Sequence, residues 1–395
     1  MNSFDAALNE RLAAIREQGL HRELRRVDSP QSPHIEINGR PLLNFSSNDY
    51  LGLANEPAIR EAAIKAVEKF GAGAGASRLI CGSLAPHHEL EEALAEFKGL
   101  EAALTFSTGY AAAVGTIGAL VGKEDVVVID KLVHASIVDG ARLSGAKLRV
   151  YAHNDLNDLE KILKWADEVH DPKFMIHSPK RVLIVTESVF SMDGDCAPLK
   201  EIVELKNKYG AWLMVDEAHA TGLYGTHRRG LAEEMGVTDG IEVQMGTLGK
   251  ALGASGGYIA GSRTLIDYLV NRARSFIFST APVPAAAAAA TAGIRFVQSQ
   301  KGEERRKTLW DRVKEFNATF GTPEFISAII PVIIGNETKA VATAATLLKQ
   351  NIYVPAIRYP TVARSEARLR VTITAAHSAD DVRQLSGAIQ AIRES

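Results

Sequence analysis

The sequence predicts an α/β fold built around a large, mainly parallel sheet. Short apolar runs, among them residues 126–129, 182–187 and 212–216, alternate with segments of helical periodicity. Strands that alternate with crossover helices form parallel sheets. Hydroxyl-bearing, acidic and glycine-rich stretches follow the ends of these runs, and parallel sheets bind their ligands beyond the carboxyl ends of the strands. A ligand site is therefore expected at that edge of the sheet.

The sequence also predicts three parts along the chain. At 395 residues, it is long enough for several domains, or for one large α/β domain with terminal additions. Residues 1–55 are expected to form an amphipathic N-terminal helix and an extended segment, and residues 56–300 the large sheet domain. Residues 301–395 are expected to form a smaller C-terminal α+β domain, whose last helix follows the capping-box pattern of Ser378 and Asp381.

Composition excludes several classes of partner. The 47 acidic and 45 basic residues leave a net charge of -2, so no bulk attraction to nucleic acid or to an anionic membrane is expected. The longest apolar run, residues 281–290, contains two prolines and is too short to span a bilayer. Cys81 and Cys196 match no metal spacing, so no metal site is expected. Buried free thiols in the reducing cytoplasm are the expectation for both.

A single lysine, Lys250, lies inside a glycine-rich stretch, residues 246–257 (GTLGKALGASGG). Glycines on both sides leave room for a flat ring beside the amine, and a partly desolvated lysine becomes a nucleophile towards carbonyl groups. Thr247 adds a hydroxyl of the kind that hydrogen-bonds a phosphate. A surface lysine in a glycine-rich turn explains this stretch equally well, so other parts of the chain must decide.

Residues after other predicted strands supply what pyridoxal phosphate requires. This cofactor needs a lysine for its aldehyde, a carboxylate beside its ring nitrogen, a stacking side chain and an anion cradle. Asp216 is the candidate carboxylate, because an ionised acid favours the protonated ring nitrogen. His219 is a candidate to hydrogen-bond the phenolic oxygen of the ring, and His134 is flat enough to stack on it. A purely structural role remains open for each histidine taken alone.

The turn between a predicted strand at 102–106 and a helix of small residues predicts the anion cradle. Thr108, Gly109 and Tyr110 form this turn, where backbone N–H groups and the helix dipole favour an anion. The alternating glycines at 71–75 superficially suggest a dinucleotide fingerprint. They follow a predicted helix instead of a strand, so a flexible connector is favoured, and a nucleotide-dependent oxidoreductase has no fingerprint in the right context.

Five short motifs together resemble the α-oxoamine synthases, which are fold-type I pyridoxal-phosphate-dependent transferases. The motifs are residues 48–52 (NDYLG), 193–195 (DGD), 216–219 (DEAH), 246–250 (GTLGK) and 367–370 (ARLR). The resemblance extends over nearly the whole chain. It implies an acyltransferase that joins an amino acid to an acyl thioester with loss of carbon dioxide. Residues 354–362 and 374–377 are most similar to the branch that condenses L-alanine with a pimeloyl thioester in biotin biosynthesis.

The resemblance implies a role for each matching residue. The implied catalytic residues are Lys250, which holds the cofactor, Asp216, His219 and His134. The other implied cofactor contacts are Thr108, Gly109, Tyr110, Ser191 and Thr247, together with Ser279 and Thr280, which reach the phosphate in the neighbouring subunit of a homodimer with shared active sites. The implied substrate contacts are Asn48 and Arg370 at the amino-acid carboxylate and Arg25 and Thr361 near the acyl chain. His134 would touch substrate as well, and Arg358, in the same loop as Thr361, is a further candidate.

The sequence departs from the family pattern at three positions. Ala220 stands where many members have glycine, and Tyr359 and Ala363 stand where prolines are frequent. The last two loosen the loop that selects the acyl group, so transfer of acetyl to glycine remains an alternative. A non-catalytic partner subunit would lack the lysine, and Lys250 argues against it. The sequence leaves open whether coenzyme A or an acyl carrier protein carries the thioester.

Overall fold

The computed structural model describes residues 3–168, 181–320 and 327–393. The chain divides into two compact units. The larger unit comprises residues 48–191 and 195–308, and the smaller comprises residues 1–47, 192–194 and 309–395. The domain boundaries expected near residues 55 and 300 stay a prediction.

The helices and strands of the described residues have the following bounds. The helices are α1 (Ser3–Glu17), α2 (Pro57–Phe70), α3 (Ala85–Lys98), α4 (Gly109–Leu120), α5 (Ala135–Ser144), α6 (Leu156–Glu168), α7 (Leu199–Lys208), α8 (Leu231–Glu234), α9 (Arg263–Arg272), α10 (Arg274–Ile277), α11 (Pro284–Gln298), α12 (Gln300–Phe320), α13 (Glu337–Lys349) and α14 (Ala379–Arg393). The strands are β1 (His34–Ile37), β2 (Arg40–Asn44), β3 (Ala102–Phe106), β4 (Val126–Asp130), β5 (Lys147–Tyr151), β6 (Val182–Glu187), β7 (Trp212–Asp216), β8 (Val243–Thr247), β9 (Gly257–Gly261), β10 (Ile329–Gly335), β11 (Ile352–Tyr353), β12 (Ala356–Ile357) and β13 (Ala367–Thr372).

The larger unit is built on a seven-stranded sheet with the order β3-β9-β8-β7-β6-β4-β5. Strands β4 to β8 pair in parallel, which confirms the predicted mainly parallel sheet. Strand β9 was not predicted, and it pairs antiparallel with both β3 and β8. Its pattern of glycine and small residues gives little strand signal. A Cβ at Gly257 would lie 2.6 Å from the Cα of Gly109, so only glycine permits this approach of β9 to the start of α4.

The smaller unit contains two three-stranded sheets, with the orders β1-β2-β11 and β10-β13-β12. His377 is buried in this unit and stacks on Phe45 with ring centroids 4.2 Å apart. The predicted capping box is present, because Asp381 N–H donates to the Ser378 hydroxyl and Ser378 N–H donates to the Asp381 carboxylate. Both bonds satisfy donors that a helix N-terminus leaves unpaired.

The two cysteines and the first helix are more exposed than buried core residues. Both cysteines are free, but Cys81 is exposed and Cys196 only half-buried, so the expectation of buried thiols was wrong. Cys81 lies in an exposed turn between α2 and α3. The apolar face of α1 is also exposed in the isolated chain, and Phe4 is its most exposed side chain at 67%. Within the described ranges, no helix is both long enough and apolar enough to cross a bilayer.

Candidate active site

Two acids end neighbouring strands of the large sheet. Glu187 is the last residue of β6 and Asp216 the last of β7, and the two are register partners. Both are buried. Asp216 accepts a hydrogen bond from the N–H of Ala218 at 2.8 Å, which fixes one carboxylate oxygen in the turn after β7. The parallel sheet therefore brings two carboxylates side by side at its carboxyl edge.

Lys250 belongs to a hydrogen-bond chain in the turn after β8. Its Nζ lies 2.7 Å from Nε2 of His219, and Nδ1 of the same ring lies 2.5 Å from the hydroxyl of Tyr50. The Tyr50 hydroxyl is also 3.4 Å from the side-chain oxygen of Asn48. A neutral imidazole has one donor and one acceptor nitrogen, so the chain has two proton arrangements. In one of them Tyr50 donates to His219, His219 donates to Lys250, and the lysine amine is neutral.

His134 caps α5 and is held from both sides. Its main-chain N–H donates to Oε1 of Glu187 at 2.5 Å, and Ser136 N–H donates to its Nδ1 at 3.2 Å. Because Nδ1 accepts, the proton of the neutral ring lies on Nε2. Burial lowers the pKa of His134, an effect that the nearby Asp216 charge opposes and the Lys250 charge reinforces. A neutral, fixed ring thus lies within electrostatic reach of the lysine and the acid.

The turn before α4 has the predicted form, with one difference. The Thr108 hydroxyl accepts the N–H of Ala111 at 3.0 Å and so caps the helix, while its O–H proton can still donate to a ligand. Gly109 lies against Thr247, since a Cβ at Gly109 would be 2.6 Å from the Thr247 methyl carbon. The exposed Tyr110 directs its hydroxyl to Asp139 at 2.8 Å, so only its main chain is available to the turn.

The electrostatics of the paired acids are unusual for carboxyl groups. Burial and the charge of Asp216 raise the pKa of Glu187 to about 8, while Lys250 and two N–H donors lower it. Burial also raises the pKa of Asp216, and Lys250 again opposes the shift. Buried acids of this kind favour a nearby cation, because a positive charge stabilises their ionised forms.

Other predicted residues of the larger unit lie in two places. Ser191 is buried, and its N–H donates to Oε2 of Glu187 at 3.1 Å. Ser279 and Thr280 lie elsewhere, in the segment after α10, where Thr280 forms an isolated bridge with Ser77. Phe278 in this segment is 71% exposed, and Ile80, which is close to Ser77 in sequence, is 79% exposed.

The remaining predicted substrate residues belong to the smaller unit. Arg25, Arg358 and Thr361 line one cavity of about 610 Å³. The guanidinium of Arg358 donates to the carbonyl of His21 at 2.9 Å, and Arg25 lies over the ring of Tyr353 at 5.5 Å from its centroid. Arg370 is buried on β13 and donates to the Thr372 hydroxyl at 2.8 Å.

The site residues fit pyridoxal phosphate on an observation independent of their motifs. The Thr247 hydroxyl is buried and has no hydrogen-bond partner among the residues that the structure describes. An orphaned buried hydroxyl is costly unless a ligand satisfies it, and a phosphate oxygen would do so beside Gly109. The raised pKa values of Glu187 and Asp216 likewise match a site that receives a cationic ring nitrogen.

Comparisons with known proteins identify the family of this chain. The family model described as aminotransferase class I and II matches residues 40–389. The 8-amino-7-oxononanoate synthase of Geotalea daltonii is 48% identical over 385 residues, which is 96% of this chain and 96% of that protein. A variant of serine palmitoyltransferase from S. paucimobilis, solved with bound PLP-myriocin aldimine, has a TM-score of 0.89 and 30% identity over 99% of this chain and 98% of its own. The 8-amino-7-oxononanoate synthase of Francisella tularensis has a TM-score of 0.75 and 26% identity over 89% and 98% of the two chains.

Fold and site together define a pyridoxal-phosphate-dependent enzyme of fold type I. The chain belongs to the aminotransferase class I and II family and, within it, to the α-oxoamine synthases.

Sequence reasoning missed two residues of the site. Glu187 ends a predicted strand just as Asp216 does, and this shared position was the available signal. Tyr50 lies inside the NDYLG motif, but its contact with His219 joins residues 169 positions apart. Such a contact is visible only once the chain is folded.

Proposed function

We propose that this chain catalyses the decarboxylative condensation of L-alanine with a pimeloyl thioester, which gives 8-amino-7-oxononanoate for biotin biosynthesis. The observation that carries the proposal is the hydrogen bond of 2.7 Å between Lys250 and His219 beside a buried carboxylate pair. Relatives named 8-amino-7-oxononanoate synthase, at 48% and 47% identity, support this choice of substrates.

The cofactor, when bound, supplies a carbonyl group for a lysine and an electron-poor ring that stabilises negative charge at the substrate Cα. Lys250 would hold the cofactor through its amine, and the same amine would then accept the Cα proton of the substrate. The chain of His219 and Tyr50 carries a proton to or from the lysine amine, so the amine can act first as nucleophile and then as base. Asp216 would keep the ring nitrogen protonated, and the neutral ring of His134 would stack on the cofactor and exclude water.

In the proposed phosphate site, the N–H groups of Gly109 and Tyr110 and the hydroxyl of Thr247 bind the phosphate oxygens at the start of α4. Ser191 contributes to the same cofactor pocket, and the capping Thr108 fixes the turn. Ser279 and Thr280 complete the site from a second copy of the chain. The exposed apolar side chains that flank them support a homodimer, because exposed apolar surface favours association.

The substrate contacts divide between two kinds of group. Arg370 and Asn48 bind the carboxylate of alanine, for which the forked guanidinium of arginine is suited. Arg25, Arg358 and Thr361 contact the pimeloyl chain and its polar end.

The two free cysteines support a cytoplasmic enzyme, because thiols stay reduced in the cytoplasm.

A substrate matrix tests the proposal. Pimeloyl, acetyl, succinyl and palmitoyl coenzyme A are compared as acyl donors with alanine, glycine and serine, and pimeloyl carrier protein is added to identify the carrier. We expect pimeloyl thioester with alanine to give the highest kcat/KM. A preference for acetyl coenzyme A with glycine of more than tenfold, about 1.4 kcal/mol in transition-state free energy, would replace the proposal by glycine acetyl transfer. Borohydride reduction followed by mass spectrometry checks that the cofactor is attached to Lys250 and to no other lysine.

A pair of arginine variants tests the acyl contact. Arg25 lines the cavity, whereas the neighbouring Arg26 does not line it and pairs with Asp28 at 2.5 Å on the surface. We expect Arg25→Met to raise the KM for pimeloyl thioester about tenfold, the scale of one charge-assisted hydrogen bond, and to leave acetyl transfer nearly unchanged. Arg26→Met is the matched control. Equal effects of the two variants would show that only the net charge of this segment matters.

A further inference from the structure

Glu187 holds two parts of the site through its two oxygens. One oxygen accepts the main-chain N–H of His134 at 2.5 Å, and the other accepts that of Ser191 at 3.1 Å. The side chain is 2% exposed, so water does not compete for these bonds. A single carboxyl group therefore fixes the start of α5 and the turn after β6 relative to each other.

Charged groups face Glu187 from two directions. Asp216 lies beside it on β7, and Lys250 reaches it from the turn after β8. Burial and Asp216 raise its pKa to about 8, whereas Lys250 and the N–H groups of His134 and Ser191 lower it. The group thus changes charge close to neutral pH. As an anion it is a stronger acceptor for both N–H groups than as an acid, because charge-assisted hydrogen bonds are stronger than neutral ones.

We propose that Glu187 is a positioning residue that holds His134 and Ser191 in place for the cofactor, and that it holds them more tightly as a carboxylate than as a carboxylic acid. The inference rests on the proposed function for the identity of the cofactor. It adds that the affinity of the site for the cofactor is linked to the charge of Glu187.

The substitution Glu187→Gln tests the hold directly. Glutamine has nearly the same size, but its amide has one acceptor oxygen and one donor nitrogen, so only one of the two N–H groups keeps an acceptor. In the cofactor-free protein, we expect amide hydrogen exchange at His134 or Ser191 to accelerate at least tenfold. Glu242→Gln is the matched control, because Glu242 also accepts a main-chain N–H, that of Leu213 at 2.7 Å, near the start of β7. Unchanged exchange at both residues in Glu187→Gln would overturn the proposal.

The link to cofactor binding is tested by dissociation constants for pyridoxal phosphate at pH 7 and pH 9. We expect Glu187→Gln to bind the cofactor about tenfold more weakly than the wild type at pH 9 and to differ less at pH 7, because the wild-type carboxyl is mostly protonated there. Comparison with the variant cancels the titration of the free cofactor. The measured quantity is the dissociation constant of the variant divided by that of the wild type. A ratio that is the same at both pH values, or that falls as the pH rises, contradicts the charge dependence.

A measurement on the wild type covers the case in which the variant does not fold. After correction for the intrinsic exchange rates, protection of the His134 and Ser191 amides should increase between pH 7 and pH 9. Constant protection would refute the charge-dependent hold. If the wild type binds no pyridoxal phosphate, the proposed function fails, and the exchange measurements on the cofactor-free protein still decide whether Glu187 holds the two residues.

Discussion

Removal of the buried, unpartnered hydroxyl of Thr247 should raise the stability of the cofactor-free protein and weaken its binding of the cofactor. The substitution Thr247→Val keeps the shape of the side chain and removes a buried hydroxyl that has no partner among the described residues. An unsatisfied buried polar group costs about 1–3 kcal/mol, so we expect the cofactor-free variant to be more stable than the wild type by about 1 kcal/mol. A hydrogen bond to a charged phosphate contributes about 1.5–3 kcal/mol, so the dissociation constant for pyridoxal phosphate should rise by about ten- to a hundredfold.

Urea unfolding of the cofactor-free protein and titration with pyridoxal phosphate measure the two effects. Thr116→Val is the matched control, because the Thr116 hydroxyl in α4 is also buried without a described partner but lies inside the helix. We expect this control to stabilise the protein and to leave cofactor affinity unchanged. The reasoning is refuted if Thr247→Val destabilises the cofactor-free protein while its cofactor affinity stays at the wild-type value.

Further predictions concern charge. Asp216→Asn should retain the cofactor but slow exchange of the alanine α-proton in deuterated water by about two to four decades, because an amide cannot hold the charge of a protonated ring nitrogen; unchanged exchange would contradict this. Burial lowers the pKa of His377 from 6.5 to about 4, so the folded state opposes its protonation. The free energy of unfolding should fall by up to about 3 kcal/mol as the pH falls from 6.5 to 4. In urea unfolding at these two pH values, His377→Gln should lose correspondingly less of its free energy of unfolding than the wild type. His153 shows the opposite sign, because its hydrogen bonds to Asp130 and Asp195 raise its pKa to about 10 despite the opposing effect of burial. Protonated His153 should stabilise the folded protein fully below pH 6.5, and this stabilisation should disappear between pH 6.5 and about 10. Thermal unfolding measures the difference in stability between the wild type and His153→Asn, and a difference that stays constant over this pH range would contradict the prediction.

Sequence periodicity predicted most of the elements because the strands of a parallel sheet are buried on both faces. Runs such as β4 and β6 are almost uninterrupted apolar stretches and are easily recognised. Strand β9 escaped this reasoning because glycine and alanine carry little strand preference and because the antiparallel pairing of β9 depends on contacts with β3 and β8. The same limit applies to exposure, since the surface position of Cys81 follows from how the turn folds.

Some residues of the candidate site could be predicted from the sequence, whereas others could be assigned only from the fold. Lys250 and Asp216 were predicted from local context, because each lies in a short motif that follows a predicted strand. Glu187 could be assigned only after the strand order was known, since it lies beside Asp216 because β6 and β7 are neighbours. Consecutive strands lie side by side in a sheet only about two-thirds of the time, so a second acid at a strand end gains its meaning from the observed topology.

The fold and the strand-end residues do not decide which acyl group the enzyme transfers. The serine palmitoyltransferase variant shares the fold at a TM-score of 0.89 with only 30% identity. A sheet edge common to enzymes with different acyl donors can set the shared chemistry at the amino acid, but it cannot discriminate between donors. Residues outside the sheet then have to discriminate between acyl donors, and the proposed acyl cavity of the smaller unit offers such residues. Val341 and Leu348 give this cavity apolar walls, and Arg25 and Arg358 give it cations. Apolar walls with a cation suit a chain that has an apolar middle and a polar end, as the proposed pimeloyl group has, whereas a palmitoyl chain offers no polar end for those arginines to bind.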